Sequence, residues 1–102
     1  MSTIPSLDLN TFDAKLAAGK PVLVDFWATW CGPCHMLSPL VEELAQSHPE
    51  IDFAKVDVDR APELAQRYQI SAIPTLLLFR DGQVADRSVG VRSMQELEDF
   101  LG

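Results

Sequence analysis

Cysteine and basic residues are scarce in this chain, and each scarcity excludes a class of protein. The 102 residues contain two cysteines, so a framework of several disulfides is excluded. Eight Lys and Arg residues stand against fifteen Asp and Glu residues, which gives a formal net charge of −7. This balance argues against nucleic acid and anionic membranes as partners, although solubility alone also explains acidity of this kind.

Long apolar runs and targeting signals are missing as well. No apolar run approaches the roughly eighteen residues of a membrane-spanning helix. Residues Met1 to Ser6 contain neither a basic nor an apolar segment, so no secretory signal is indicated. We therefore expect a cytoplasmic protein, and its length predicts a single domain over residues 1–102. In that compartment thiols stay reduced, which favours a catalytic role for the two cysteines over a structural one.

The two cysteines, Cys31 and Cys34, lie between an expected strand and an expected helix. The apolar run from Val22 to Ala28 predicts a strand that is covered on both faces of a sheet. The stretch from Met36 to Ser47 is amphipathic and predicts a helix. A Cys-x-x-Cys pair at such a junction indicates a thiol–disulfide redox site.

The spacing of the pair has a physical reason. If Cys31 caps the helix, Cys34 lies three residues on, so both sulfurs face the same side and can meet. The unpaired N–H groups of the first turn and the helix dipole favour a thiolate at Cys31. The alternatives are an inert disulfide or half of a zinc site, for which His35 and His48 remain as further ligands.

The rest of the chain predicts alternating helices and strands. Further strands are expected at Ile51 to Val58, Thr75 to Phe79 and Val84 to Val89, with a weaker edge strand around Ile4. Helices are expected after N-caps at Asn10, Asp59 and Ser93. Asp81-Gly82 indicates a two-residue hairpin. The order β-α-β-α-β-α-β-β-α predicts an α/β fold in which four helices flank both faces of a mixed five-stranded sheet.

The run from Val24 to Cys34 resembles the active-site segment of the thioredoxin family. The segments Ile73-Pro74-Thr75, Asp81-Gly82 and Val89-Gly90 share this resemblance, which extends from about residue 10 to residue 101. It implies the three-layer α/β/α thioredoxin fold and thiol–disulfide exchange. One departure is His35, which stands where the family usually has Lys or Arg, so the fixed positive charge beside the thiolates is weaker.

The resemblance assigns different roles to the two cysteines. Cys31 is expected to be the exposed nucleophile, whose thiolate attacks a substrate disulfide and forms a mixed disulfide. Cys34 is expected to be the buried resolving thiol, which attacks Cys31 and releases the reduced substrate.

Two charged residues are expected to support this chemistry. Asp25 is the one charge in a strand that is otherwise apolar, so burial should raise its pKa. By resemblance it assists proton transfer at the resolving thiol, and Lys55 in the adjacent strand is its partner. The alternatives are an aspartate at a frayed strand edge and a solvated lysine whose stem covers apolar surface.

An apolar rim around Cys31 is also implied by the resemblance. Its expected substrate-binding residues are Trp30, Gly32, Pro33, Ile73, Pro74, Val89, Gly90 and Val91. Exposed apolar patches usually mark contact surfaces, although core packing explains Ile73, Val89 and Val91 equally well. Peptide statistics favour a trans bond before Pro74, whereas the resemblance implies a cis bond that faces the cysteines.

Together these features predict a thiol–disulfide oxidoreductase that reduces disulfide-containing protein substrates and is monomeric. We expect a separate thioredoxin reductase to recharge it, because the sequence has no Gly-x-Gly-x-x-Gly motif for a nucleotide. No cofactor or metal is expected. One alternative is an oxidase or isomerase on the same fold, and another is a binding module that docks on a partner protein while its redox activity is incidental.

Overall fold

Four strands form one mixed sheet in the computed structural model, which describes residues 4–102. They are β1 (Val22–Trp27), β2 (Asp52–Asp57), β3 (Thr75–Arg80) and β4 (Gln83–Val89). Their order across the sheet is β2-β1-β3-β4. Strand β1 runs parallel to β2 and antiparallel to β3. The side chains of β1 pack into apolar clusters on both faces of the sheet, which explains its nearly continuous apolar sequence.

Four helices cover the two faces of this sheet. They are α1 (Phe12–Leu16), α2 (Gly32–Ser47), α3 (Pro62–Arg67) and α4 (Met94–Leu101). Leu37 of α2 and Leu97 of α4 share one apolar cluster with Leu23 of β1. Phe12 of α1 and Leu64 of α3 belong to the opposite cluster. The three-layer α/β/α prediction is confirmed, and none of the helices within residues 4–102 is long and apolar enough to cross a bilayer.

The predicted fifth strand is reduced to a single bridge in the described chain. Ser6 pairs in parallel with Lys55 on the outer edge of β2. Lys55 N–H donates a hydrogen bond to Pro5 O at 2.9 Å, but Pro5 has no N–H with which to extend the ladder. The expectation of five strands is therefore wrong for residues 4–102, and the neighbours of Ile4 at residues 1–3 lie outside the described residues.

Two of the expected helix caps are wrong. The N-cap of α1 is Thr11 rather than the expected Asn10, and Thr11 makes no side-chain capping hydrogen bond. Instead, Asp8 Oδ1 accepts hydrogen bonds from Asn10 N–H and Thr11 N–H at 2.9 and 3.0 Å, so the turn before α1 is built on Asp8. The N-cap of α3 is Ala61 rather than Asp59.

Other predictions from local chemistry are confirmed. Asp81 and Gly82 join β3 to β4 with φ values of 54° and 78°, as a two-residue turn of the I′ kind requires. Ser93 caps α4 in a reciprocal capping box with Glu96. The helix predicted from Met36 to Ser47 forms as part of α2, and Pro39 lies inside it at the cost of one backbone hydrogen bond.

A histidine links the end of α2 to α4. His48, the C-cap residue of α2, directs Nδ1 at Glu50 Oε2 (3.0 Å) and Nε2 at Glu98 Oε1 (2.7 Å). Both partners accept hydrogen bonds, so the doubly protonated ring satisfies both of them. The hydrogen bonds to Glu50 and then to Glu98 raise the pKa of His48. The same contact with His48 lowers the pKa of Glu50.

This link makes stability depend on pH. A raised pKa means that the stabilisation is complete below about pH 6.5, the ordinary value for histidine, and is lost as the pH rises through the raised pKa. We expect His48→Gln to lower the melting temperature by about 2–5 °C near pH 6 and by little near pH 9. Melting curves of both proteins across this range measure the difference. A loss that is equal at both pH values would contradict a charged link.

Candidate active site

The two cysteines meet where β1 leads into α2. Cys31 is the N-cap residue of α2, and its Sγ accepts a hydrogen bond from Cys34 N–H at 3.2 Å. The two residues form a disulfide with their Cα atoms 5.3 Å apart. The prediction that the sulfurs meet across the first helical turn is confirmed. The structure is that of the oxidised pair, and Cys31 Sγ is the atom that caps the helix.

The expected contrast between an exposed Cys31 and a buried Cys34 is wrong for this oxidised pair. Cys31 is 4% exposed and Cys34 is 3% exposed. The two residues differ in what they face instead. Cys31 Sγ lies 3.9 Å from Ile73 O, beside the outer surface. Cys34 lines a cavity on the inner side of α2.

This inner cavity has a volume of about 170 Å³. Its lining residues are Asp25, Trp27, Cys34, His35, Ser38 and Lys55. Among the described residues, Asp25 Oδ1 and Trp27 Nε1 are the buried side-chain atoms that have no hydrogen-bond partner in the protein. Buried polar atoms are nearly always paired, and an exception needs an explanation such as a redox or catalytic role or a bound water. The cavity therefore brings an unpaired carboxylate close to the inner cysteine.

Asp25 lies in the middle of the sheet and is 2% exposed. It pairs in register with Lys55 on β2 and with Leu76 on β3, which excludes the alternative of a frayed strand edge. Burial raises its pKa from 3.8 to about 7, and the nearby charge of Lys55 opposes part of that rise. The carboxyl group can therefore accept or release a proton near neutral pH.

Lys55 lines the same cavity, so it is not simply a solvated lysine on the sheet surface. Its Nζ donates a hydrogen bond to Ser38 Oγ at 3.4 Å and lies 5.4 Å from the centre of the Trp27 ring. It contributes a positive charge to the site without forming a direct ion pair with Asp25, whose pKa it lowers through space.

His35 closes one side of the cavity. Its Nε2 lies 2.7 Å from Thr29 O, and because a carbonyl can only accept, Nε2 carries the proton. The ring stands edge-on to Trp27, with centroids 6.2 Å apart. His35 is also exposed to solvent, so it lies between the inner cavity and the outside.

An open apolar groove of about 180 Å³ lies on the outer side of the cysteines. It is lined by Trp30, Val58 and the segment 70–73. Trp30 is 69% exposed, and its Nε1 donates a hydrogen bond to Asp59 Oδ2 at 2.8 Å, which holds the indole in place. Asp59 therefore contacts Trp30 instead of capping α3, whose N-cap is Ala61.

The remaining expected rim residues differ in how deeply they are buried. The Ile73–Pro74 peptide bond is cis, as the resemblance implies, and Pro74 O accepts a hydrogen bond from Gly90 N–H at 2.8 Å. Val89 and Val91 are 44% and 40% exposed, so core packing does not explain them. Ile73 is half-buried against the cysteines, and Gly32 and Pro33 are exposed at the start of α2.

Three polar neighbours of the site were not expected from the sequence. The local sequence around Asp59 indicates a helix cap, and nothing local indicates that its carboxylate contacts Trp30. Ser38 follows Cys34 by four residues and thus shares its helix face, which is a signal that could have been used. Thr29 takes part only through its carbonyl group, which no side-chain pattern reveals. Within residues 4–102, no cluster of three or more His, Cys, Asp or Glu residues could hold a metal ion.

Comparison with known proteins identifies the family. The family profile described as Thioredoxin matches residues 3–102. The chain belongs to the thioredoxin family. A thioredoxin of Mycobacterium tuberculosis is 47% identical over 105 residues, which cover 98% of this chain and 90% of that protein.

Two further similarities concern domain organisation and structure. A bifunctional thioredoxin reductase/thioredoxin of Mycobacterium leprae is 47% identical over 104 residues, which cover 97% of this chain and 23% of that protein. Mitochondrial thioredoxin 3 of Saccharomyces cerevisiae, solved in its oxidised form, matches with a TM-score of 0.88 at 36% identity. That match covers 95% of this chain and 92% of the yeast chain.

Family membership and the paired cysteines identify the chemistry. As a member of the thioredoxin family with Cys31 and Cys34 joined in a disulfide, the chain is a thiol–disulfide oxidoreductase of the protein-disulfide reductase type. Nothing in these comparisons favours a binding module with incidental redox activity.

Proposed function

We propose that this protein reduces disulfides in protein substrates and that a separate thioredoxin reductase recharges it. The observation that supports this most directly is the disulfide pair at the N-terminus of α2, with an apolar groove outside it and a buried carboxylate inside it. An outer groove suits a chain segment of a substrate, and an inner carboxylate suits proton transfer.

In the first step, the thiolate of reduced Cys31 attacks one sulfur of the substrate disulfide. A Cys31–substrate bond forms, the substrate's own S–S bond breaks, and the departing sulfur leaves as a thiolate. The N–H of Cys34, which points at Cys31 Sγ, stabilises the negative charge before the attack. The exposed Trp30 and the half-buried Ile73 form the apolar surface on which the substrate segment lies.

In the second step, Asp25 removes the proton from the Cys34 thiol. The Cys34 thiolate attacks Cys31 Sγ, the Cys31–Cys34 bond forms, and the reduced substrate thiolate leaves. A carboxyl group with a pKa of about 7 matches this task, because it is partly ionised at neutral pH and still basic enough to accept a proton.

The two electrons gained by the substrate must be replaced. The M. leprae relative combines thioredoxin reductase and thioredoxin in one protein, which supports the same pairing of activities between two separate proteins here. We also propose a monomer in the cytoplasm, where thiols are kept reduced. Sedimentation of the purified protein tests its oligomeric state, and fractionation of the source cell tests its location.

The redox equilibrium of the Cys31/Cys34 pair tests the direction of the reaction. We expect a reduction potential below about −230 mV, on the reducing side of the glutaredoxin range, measured by thiol alkylation in buffers of known potential. A value above about −180 mV would contradict a reductase and favour the oxidase or isomerase alternative. If Cys31 and Cys34 form no intramolecular disulfide in any buffer, the catalytic proposal fails.

A further inference from the structure

The inner cavity has a feature that the two-step reaction leaves unexplained. Asp25 is almost fully buried, so a proton that it takes from Cys34 has no direct contact with solvent. The cavity of about 170 Å³ has room for several water molecules, since one water occupies about 30 Å³ in the liquid. The unpaired atoms Asp25 Oδ1 and Trp27 Nε1 are suitable partners for such waters. A proton can therefore cross the cavity toward the lining residues that reach solvent, where its exit lies.

The geometry of the cavity wall indicates where that exit lies. Cys34 is buried, the indole of the half-buried Trp27 can donate but not accept a hydrogen bond, and Ser38 has a hydroxyl group that is a poor base. Lys55 is an ammonium group that already donates to Ser38. His35 is the lining residue that is exposed to solvent and whose imidazole has both a donor and an acceptor nitrogen.

We propose that His35 is a proton-relay residue that carries protons between Asp25 and bulk solvent during resolution by Cys34. This inference deepens the proposed function and rests on it. His35 does not contact the reacting sulfurs, so it acts through Asp25. The hydrogen bond from Nε2–H to Thr29 O fixes the tautomer of the neutral ring, which leaves Nδ1 as the nitrogen that accepts and releases the proton.

The proton balance of the relay is simple. When the Cys34 thiol gives its proton to the Asp25 carboxylate, the thiolate forms the bond to Cys31 and displaces the substrate thiolate. The Asp25 proton then passes through cavity water to Nδ1 of His35 and from there to the buffer. Recharging of the disulfide uses the same route in reverse. The titratable groups that face the cavity are Asp25 on β1, Lys55 on β2, and Cys34 and His35 on α2.

The test measures the resolving step by itself. Reduced protein is mixed in a stopped-flow instrument with a symmetric aromatic disulfide that releases one coloured thiol on attack and a second on resolution. At low buffer concentration near pH 7, we expect His35→Gln to slow the second release by roughly tenfold and to leave the first unchanged. Added imidazole should restore the rate of the variant in a saturable way. Glutamine keeps a hydrogen-bond donor for Thr29 O, so this change removes mainly the base.

The matched control is His48→Gln, which makes the same chemical change at the only other histidine of the sequence, outside the cavity. It should neither slow the second release nor respond to imidazole. A relay changes rates but not equilibria, so His35→Gln should also keep the redox equilibrium of the pair at a given pH.

Three results would overturn the relay. The first is an equal rate of the second release in wild type and His35→Gln at low buffer concentration. The second is a slow release by His35→Gln that imidazole does not accelerate. The third is a redox equilibrium of the cysteine pair that is shifted in His35→Gln far enough to account for the slower rate. Each of them leaves the proposed function intact, because that function depends on the redox potential and on the roles of the two cysteines.

Discussion

Replacement of Asp25 by Asn is expected to make the oxidised protein more stable at alkaline pH, by about 4 kcal/mol. Burial raises the folded-state pKa of Asp25 from 3.8 to about 7, a rise of about three units at 1.36 kcal/mol each. A carboxyl group with a raised pKa contributes its full stability below the unfolded pKa and loses it as the pH rises through the folded pKa. The wild type therefore loses this free energy between about pH 4 and pH 8, and the variant does not.

Denaturant unfolding of both proteins at several pH values measures this effect. The oxidised form is used throughout, so that no thiol titrates in the same range. Asp99→Asn is the matched control, because Asp99 is exposed on α4 and its stability difference from wild type should stay nearly constant over the range. Parallel curves of stability against pH for Asp25→Asn and wild type would show that Asp25 ionises near its ordinary pKa. That result would contradict its proposed role as the proton acceptor.

Replacement of the two cysteines one at a time is expected to separate their roles. Cys34→Ser should still attack a protein disulfide through Cys31, but it should stop at the mixed disulfide, so turnover falls about a thousandfold or more. Mass spectrometry of the intact protein should show one substrate chain bound per variant molecule, and a reducing agent should release it. The reason is that the serine hydroxyl cannot form the Cys31–Cys34 bond that frees the substrate.

The matched variant is Cys31→Ser, which should lose turnover equally and form no mixed disulfide. The two cysteines are almost equally buried in the oxidised protein, so exposure does not assign these roles. The assignment depends on which side each faces: Cys31 is next to Ile73 O and the groove, and Cys34 lines the cavity with Asp25. Stable adducts with Cys31→Ser and none with Cys34→Ser would reverse the assignment.

The sequence predicted those parts of the fold that depend on local patterns. The apolar run of β1, the Asp81-Gly82 turn and the Ser93 capping box all have signals within a few residues, and all three are confirmed. The predicted cap at Asp59 failed because α3 begins only at Pro62, and the Asp59 carboxylate instead contacts Trp30, which is 29 residues away in sequence. The fifth strand failed because Pro5 interrupts the pairing, which leaves a single bridge at Ser6.

The site could be predicted in outline but not in its arrangement. A charge in an apolar strand indicated that Asp25 is buried with a raised pKa, and the structure agrees. The division into an outer groove and an inner cavity could not be derived from spacing, because it depends on how α2 lies across β1 and β2. Nothing in the local sequence around His35 shows that its ring would lie against Trp27 and Thr29 O.

The capping role of Cys31 couples the redox chemistry to the thermodynamics of folding. The same sulfur that reacts also accepts the hydrogen bond that begins α2, and a thiolate accepts such a bond more strongly than a disulfide sulfur. Folding and oxidation form a closed thermodynamic cycle. The difference in unfolding free energy between the oxidised and reduced chains therefore equals the difference in oxidation free energy between the unfolded and folded chains. Unfolding the two forms side by side measures how far the fold as a whole, including this helix terminus, shifts the redox potential, without any redox buffer.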